Sequence, residues 1–335
     1  MPRTSRDDVT LKDIAEAVGK SVAAVSRALN NYEDISPETR EHIKRVAREM
    51  GYAPTDTLGL VLPTPSARTS DPYFGELLAS ITSEAASQGF DLLVSTCPAD
   101  VEENRAYLRL INSRKVDGFI VIRPRRRDAR IEMLREKQFP FVVVGATNVA
   151  GQVYSVAVDE AKGAQQVVAH LVAQGHQQIA LINTPADLML SLNYLAGFQQ
   201  AMQHAGLPIN TDYLTNSDFS QKDGYRIAHR LLNLSQPPTA IVATDDLIAL
   251  GVMSAVQDQG LEVGSDVAVA GFGDILLAEY SKPPLTSVRR SAGLLGQKAC
   301  QMLISRLRNE PVAQQNVVIQ PSLVIRQSTD LALWL

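Results

Sequence analysis

The sequence predicts an α/β protein: a short all-α N-terminal segment followed by a two-lobed core of doubly wound parallel sheets. Three observations carry this. The residues up to Pro54 are short-helical and dense in charge, with no strand-like run. From Leu58 onward, short β-branched runs alternate with helical patterns, and repeated β-α units wind into parallel sheets with helices on both faces. These units are too many for one compact sheet, and a break falls between Gly145 and Tyr154, after the fourth strand-like run. A length of 335 residues fits two or three domains, since one domain takes about 100–200 residues.

The first helix is expected over Leu11 to Val18. Thr10 caps it, and Asp13 three residues on makes an acidic variant of the capping box. Leu11, Ile14, Ala15 and Val18 share one face, and Gly19 lets the chain turn. Ser21 caps a second helix, Val22 to Leu29, with Val25 and Leu29 inward. Ser36 and Pro37 open a third as N-cap and first-turn proline, and Gly51 is expected to end it. Two short helices joined by a tight glycine turn read as a helix-turn-helix, whose second helix would enter a major groove. Arg27 on its outer face can donate two hydrogen bonds to a guanine, and Val22 and Ala23 can pack on thymine methyls. Ser21, Ser26 and Asn30 suit phosphate oxygens. Acidic side chains balance the basic ones here, so a small bundle docking on a protein fits the pattern too.

The core strands follow as Leu58–Leu62, Asp91–Val94, Gly118–Ile122, Phe141–Val144, Val156–Val158, Ile179–Ile182, Ala240–Ala243 and Val267–Ala270. Most are apolar on both faces, as strands covered by helices on both sides must be. The expected division is 1–54 for the helical domain, 55–57 for a linker and 58–335 for the core. The first lobe is expected over about 58–154 and 288–320, the second over about 155–287 and 321–335. Ligands of such sheets sit beyond the carboxyl ends of the strands. That selects Tyr73 and Phe74 after the first strand, Arg123 after the third, Asp159, Asp245 and Asp274. Asp159 and Asp245 are equally suited to capping the helices that follow them. Arg123 fits a ligand anchor and an ion pair between lobes equally well. Arg125, Arg126 and Arg127 read as a solvated face.

Composition narrows the function. Hydrophobic residues make up 45% and charged residues 20%, with a net charge of -4, so a disordered chain and a global basic field are both excluded. The two cysteines, Cys97 and Cys300, lie far apart in apolar surroundings and read as buried thiols of a reducing cytosol. Polar opening residues and the lack of any apolar run near the roughly 20 residues of a membrane span lead to the expectation of a cytoplasmic protein with no membrane partner. No dinucleotide fingerprint, Walker A loop or nucleophile elbow is present, and the histidines show no metal-ligand spacing. No enzyme activity, cofactor or metal is expected. A solute-binding protein serving a transporter fits the core but not the helix-turn-helix.

Several motifs together resemble the LacI/GalR-type transcriptional repressors. Val9-Thr10-Leu11-Lys12-Asp13-Ile14-Ala15, Gly19, Ser21, Val25-Ser26-Arg27 and Asn30 are similar to the opening of that family. Ser36-Pro37-Glu38-Thr39-Arg40 and Gly51-Tyr52-Ala53-Pro54 continue the match. Along the core, Gly175-His176, Ala196-Gly197-Phe198, Ala249-Leu250-Gly251, Gly271-Phe272 and Pro284-Leu285-Thr286 fall where the family's periplasmic-binding-protein-like core has similar residues. The resemblance implies a homodimer on pseudo-palindromic double-stranded operator DNA, expected to repress, and controlled by a small effector, often a sugar. It places Thr10, Leu11, Ser21, Val22, Ala23, Ser26, Arg27 and Asn30 as DNA contacts, and Phe219 as an aromatic wall of the effector site.

The chain also departs from the family. Members continue past the Tyr-x-Pro turn with a hinge helix that pairs in the dimer and wedges into the minor groove. Here only Thr55, Asp56 and Thr57 precede the strand run. Three residues reach about 10 Å and are fewer than the 3.6 of one helical turn. Operator affinity is therefore expected to rest on the major-groove helices. The alternative is a sugar-binding dimer with impaired or altered operator binding. Lys20 stands where a small apolar residue is usual. Tyr194 takes the place of an arginine that often anchors sugar hydroxyls and is kept as a candidate contact. Gly273 takes the place of the first acid of a Gly-Phe-Asp-Asp turn. Aromatic faces, carboxylates and one arginine suit a neutral polyhydroxylated ligand.

Overall fold

A computed structural model describes residues 9, 11–29, 34–50, 55–64, 71–98, 103–149, 151, 153–308 and 310–329. Three helices come first: α1 (Leu11–Val18), α2 (Val22–Leu29) and α3 (Pro37–Glu49). Gly19 ends α1 at φ +62°. The Lys20 N–H returns to the Ala15 carbonyl at 3.0 Å and the Gly19 N–H to that of Glu16 at 3.3 Å. This is a glycine-terminated helix end, which a residue with a Cβ adopts only under strain. Ser21 Oγ accepts from the Ala24 N–H at 3.1 Å and starts α2. Ile14, Ala15, Val25, Ala28, Ile43 and Ala47 form the small core between the three helices. Gly51 lies outside the described residues.

The core then alternates. In order come β1 (Thr57–Thr64), α4 (Pro72–Ser87), β2 (Asp91–Pro98), α5 (Glu103–Asn112), β3 (Gly118–Ile122), α6 (Ala129–Glu136), β4 (Phe141–Val144) and β5 (Ser155–Val158). Next are α7 (Glu160–Ala173), β6 (Ile179–Asn183), α8 (Met189–His204), β7 (Leu214–Asn216), α9 (Gln221–Leu232), β8 (Ala240–Ala243), α10 (Asp246–Asp258), β9 (Ala268–Gly273) and α11 (Leu276–Tyr280). The chain finishes with β10 (Thr286–Arg289), α12 (Ala292–Leu307), β11 (Asn316–Ile319) and β12 (Ser322–Val324).

These strands build two six-stranded sheets, ordered β11-β5-β4-β3-β1-β2 and β12-β10-β9-β8-β6-β7. Every pairing is parallel except that of β10 with β12. β3, β4, β5, β6 and β8 are buried at every position, as helices on both faces require.

The chain passes between the sheets after β5, after β10 and between β11 and β12. The expected lobe edges at 154/155 and 287/288 do not match this. β5 hydrogen-bonds to β4 and β11 and so belongs to the first sheet, while β10 continues to Arg289 in the second. A chain break in the apolar pattern marks a loop, not the sheet to which the next strand returns. Among the described residues no helix is long and apolar enough to cross a membrane.

Candidate functional site

Two surfaces carry the residues singled out above. On α2, Val22 is 44% exposed, and Ala23 and Arg27 are exposed beside it. The Arg27 guanidinium pairs with Asp34, in the turn before α3. Leu11 is half-buried against the three-helix core, because it starts the apolar stripe of α1. Thr10 and Asn30 lie outside the described residues, and Ser26 is described only by its place on α2.

The second surface is a cleft between the two sheets, about 630 Å³ counting the space open to solvent. Tyr73, Phe74, Arg123, Phe219 and Asp245 line it, as do Asp71, Glu160 and Arg290, over a floor that includes Leu77, Ile122 and Val144. Asp71 caps α4: its Oδ1 accepts from the Tyr73 N–H at 3.0 Å. Its Oδ2 accepts from Arg123 at 2.9 Å. Arg123 therefore pairs within the first lobe, and its guanidinium lies 4.6 Å from the ring centroid of Phe219 on the second. Arg290 lies 4.0 Å from the Tyr73 centroid and 5.1 Å from that of Phe272. Tyr73 and Phe219 thus each present one ring face to a cation. Tyr73 Oη and Arg290 Nε are buried without a hydrogen-bond partner among the described residues.

The carboxylates are unusual. Asp245 caps α10 through the Leu247 N–H at 2.9 Å. Burial, then the charges of Asp71 and Asp246, push its carboxyl up to about 8. Burial pushes Asp246 up to about 6, against hydrogen bonds from Ser287 and the Ile275 N–H. Burial also raises Glu160, whose Oε2 accepts from Asn193 Nδ2 at 3.0 Å. The charge of Arg290 opposes all three shifts.

Three expected contacts stand elsewhere. Asp159 caps α7 by accepting the Lys162 N–H at 2.9 Å and does not line the cleft. The next residue, Glu160, lines it instead, because one helical step turns a side chain by about 100°. Tyr194 is fully buried and meets Phe272 edge-on at 5.0 Å. Its aromatic body fills the second lobe, and burial raises its phenol. Asp274 holds Arg289 and Arg326, each at 2.7 Å, and so ties β9 to β10 and to the segment after β12.

Asp246 explains the glycine at 273. A Cβ there would come within 3.0 Å of Asp246 Oδ2, at a backbone φ of +150°. The acid absent from the β9 end thus has only a buried counterpart in the first residue of α10, which does not line the cleft. Arg290 and Glu160 were missed by sequence reasoning. An arginine directly after a strand is a usable signal for Arg290, but β10 is only four residues long and polar at all but Val288.

The lobes also touch beside the cleft. The Met189 N–H donates to the Pro124 carbonyl at 2.9 Å, and the Arg126 N–H to that of Asp187 at 2.8 Å. Arg125 pairs with Asp187 at 3.4 Å and with Glu103. The run read as a solvated face is therefore, at Arg125, a bridge between lobes. Among the described residues no cluster of His, Cys, Asp and Glu is arranged to hold a metal.

Known proteins match both parts of this arrangement. Residues 10–55 match the lacI family of bacterial regulatory proteins, and residues 168–329 match a periplasmic binding protein-like domain. The chain is 31% identical over 329 residues to the HTH-type transcriptional repressor CytR of Escherichia coli (strain K12), covering 96% of both. It is 31% identical over 334 residues to the HTH-type transcriptional regulator DegA of Bacillus subtilis (strain 168), covering 96% of this chain and 98% of that one. Among solved structures, a complex of the transcriptional regulator CelR with cellobiose has a TM-score of 0.76 at 28% identity, covering 96% of this chain and 99% of that one. The lac repressor dimer bound to operator and the anti-inducer ONPF has a TM-score of 0.73 at 27% identity, covering 97% and 100%. A helix-turn-helix head, a two-sheet core with a lined cleft, and these likenesses along nearly the whole length make one assignment: the chain belongs to the lacI family of bacterial regulatory proteins and is a DNA-binding transcriptional regulator.

Proposed function

We propose that the chain works as a homodimer that offers α2 of each head to the major groove of a pseudo-palindromic operator, in the cytoplasm, and that a small polyhydroxylated molecule, a sugar by class, controls it from the cleft. On this reading residues 1–54 form the DNA-binding unit and the rest of the chain binds effector and dimerises. Arg27 reads a guanine, held in orientation by Asp34. Val22 and Ala23 meet thymine methyls, and Ser21 and Ser26 with Thr10 and Asn30 hold phosphates. The observation that carries the effector class is the lining: Asp71, Glu160 and Asp245 offer acceptors, while Tyr73 Oη and Arg290 Nε are donors without a partner among the described residues. Carboxylates and guanidinium donors around apolar faces suit sugar hydroxyls and ring faces. The cellobiose complex of a similar regulator supports the class. Relatives matched over 96–98% of their length are transcriptional regulators, which disfavours a sugar-binding dimer that has lost operator recognition.

The test is a fluorescence-anisotropy titration of the purified protein. The probe is a duplex that the protein enriches from a random-sequence pool, at two salt concentrations, with and without a panel of mono- and disaccharides. A sugar that shifts the affinity gives the sign of control, and the same coupling must appear in the sugar's own affinity. A panel that shifts nothing sinks the sugar assignment. Arg27→Ala should bind the selected duplex about 1–3 kcal/mol more weakly. Full affinity in that variant would mean that Arg27 reads no base.

A further inference from the structure

A carboxylate of the core holds the residues at the start of β1. Asp117, half-buried in the turn before β3, accepts from the Thr55 N–H at 3.2 Å and from Thr55 Oγ1 at 3.1 Å. It also accepts from the Thr57 N–H at 3.2 Å. Backbone bonds extend the hold: the Asp117 N–H donates to the Thr57 carbonyl, and the Asp91 N–H to that of Asp56, each at 2.8 Å. Three residues before Asp117, Arg114 Nη1 donates to the carbonyl of Val9 at 3.2 Å. The same turn therefore touches the chain just before α1 and the chain just before β1. Directly after Asp117 the chain enters β3, buried along its whole length and paired with β1 and β4. The carboxylate thus stands on a part of the core that cannot shift without unpairing strands.

We propose that Asp117 is the positioning residue that fixes the head on the core. It clamps the linker through the two hydrogen bonds from Thr55 and anchors that hold on Thr57, the first residue of β1, so that α2 keeps one orientation although the linker is too short for a helix of its own. This rests on the reading that α2 is the element presented to DNA. In a dimer the second head binds its half-site only if its position is already near right, so releasing the linker lowers the effective concentration of that head.

The experiment compares the full-length wild type with Asp117→Ala and Thr55→Val. Amide hydrogen exchange over residues 55–57 is measured without DNA. Affinity is measured for a duplex that the wild type enriches from a random pool, and for a duplex of scrambled sequence. Asp117→Ala should expose the Thr55 and Thr57 amides to exchange and weaken the selected duplex about tenfold, with the scrambled duplex bound as before. Thr55→Val keeps both amide donors and loses one hydroxyl donor, so it should fall between, which keeps the test decisive should Asp117→Ala fold poorly. Unchanged exchange in both variants overturns the clamp. Faster exchange with full affinity for the selected duplex overturns its role in positioning. A wild type that enriches no duplex overturns the DNA reading, and this proposal with it.

Discussion

At the scale of the residue, the cleft is set by a few displaced charges. Tyr194 and Gly273 replace a cation and an acid that the resemblance leads one to expect, and neither loss leaves the cleft uncharged. Arg290 brings a guanidinium onto the Tyr73 ring, and Asp71, Glu160 and Asp245 line the cleft, whereas Asp246 is buried beside Gly273 and held by Ser287 and the Ile275 N–H. Asp245 gives this arrangement a pH signature. Its carboxyl is pushed from an ordinary 3.8 up to about 8, so the folded chain keeps a proton that the unfolded chain releases. The stability it contributes is complete below about pH 4 and is lost as pH rises through about 8. Asp245→Asn keeps an oxygen for the Leu247 N–H and has no such titration. Melting temperatures of the variant should fall less between about pH 5 and pH 8 than those of the wild type. Parallel curves would show that Asp245 titrates in the same way folded and unfolded.

At the scale of the element, the segment between β3 and α6 does more than connect. Asp128 caps α6 and is fully buried with Arg130, which it meets at 2.7 Å. Burial would raise Asp128, but the hydrogen bond and charge of Arg130 hold it below its usual range. Glu103 joins Arg130 at 2.9 Å and reaches Arg125, so the bridge to the second lobe rests on a buried network. Arg130→Met removes the counter-ion and leaves the buried Asp128 carboxylate with backbone N–H donors alone. Breaking one partner of such a pair costs about 3–5 kcal/mol. Urea unfolding should show that loss in the midpoint with the slope unchanged, and a loss under about 1 kcal/mol would place the pair among exposed ion pairs in energetic terms.

At the scale of the whole molecule, α11 is the conspicuous surface. Leu276 and Tyr280 are each 70% exposed, with Leu277 at 48% between them. Grouped apolar side chains on a helix mark an interaction face more often than an idle surface, and the proposed homodimer needs one. Leu277→Asp is expected to shift the protein toward monomer in sedimentation at micromolar concentration and to weaken operator binding by the loss of the second head. A variant that sediments with the wild type would move the dimer contact elsewhere.

The sequence by itself determined the helical head, because apolar spacing, the caps Ser21 and Ser36 and the Gly19 turn are local signals. It determined the buried strands as well, since β3, β4, β6 and β8 are apolar on both faces wherever they sit. Five cleft residues, Tyr73, Phe74, Arg123, Phe219 and Asp245, were legible too, the aspartate and the arginine because loops at strand ends are near their strands in sequence. Tertiary structure alone decided the rest. β10, β11 and β12 are short and partly polar or exposed, so their strand character comes from the neighbours they pair with. The placement of β5 in the first sheet depends on which edge the chain returns to. Arg290 enters the cleft through a crossover, and Glu160 by one step of helical rotation. Asp117 finds Thr55 across 62 positions of sequence. Each of these is a meeting of segments far apart along the chain, and no local pattern encodes a partner that only folding brings within reach.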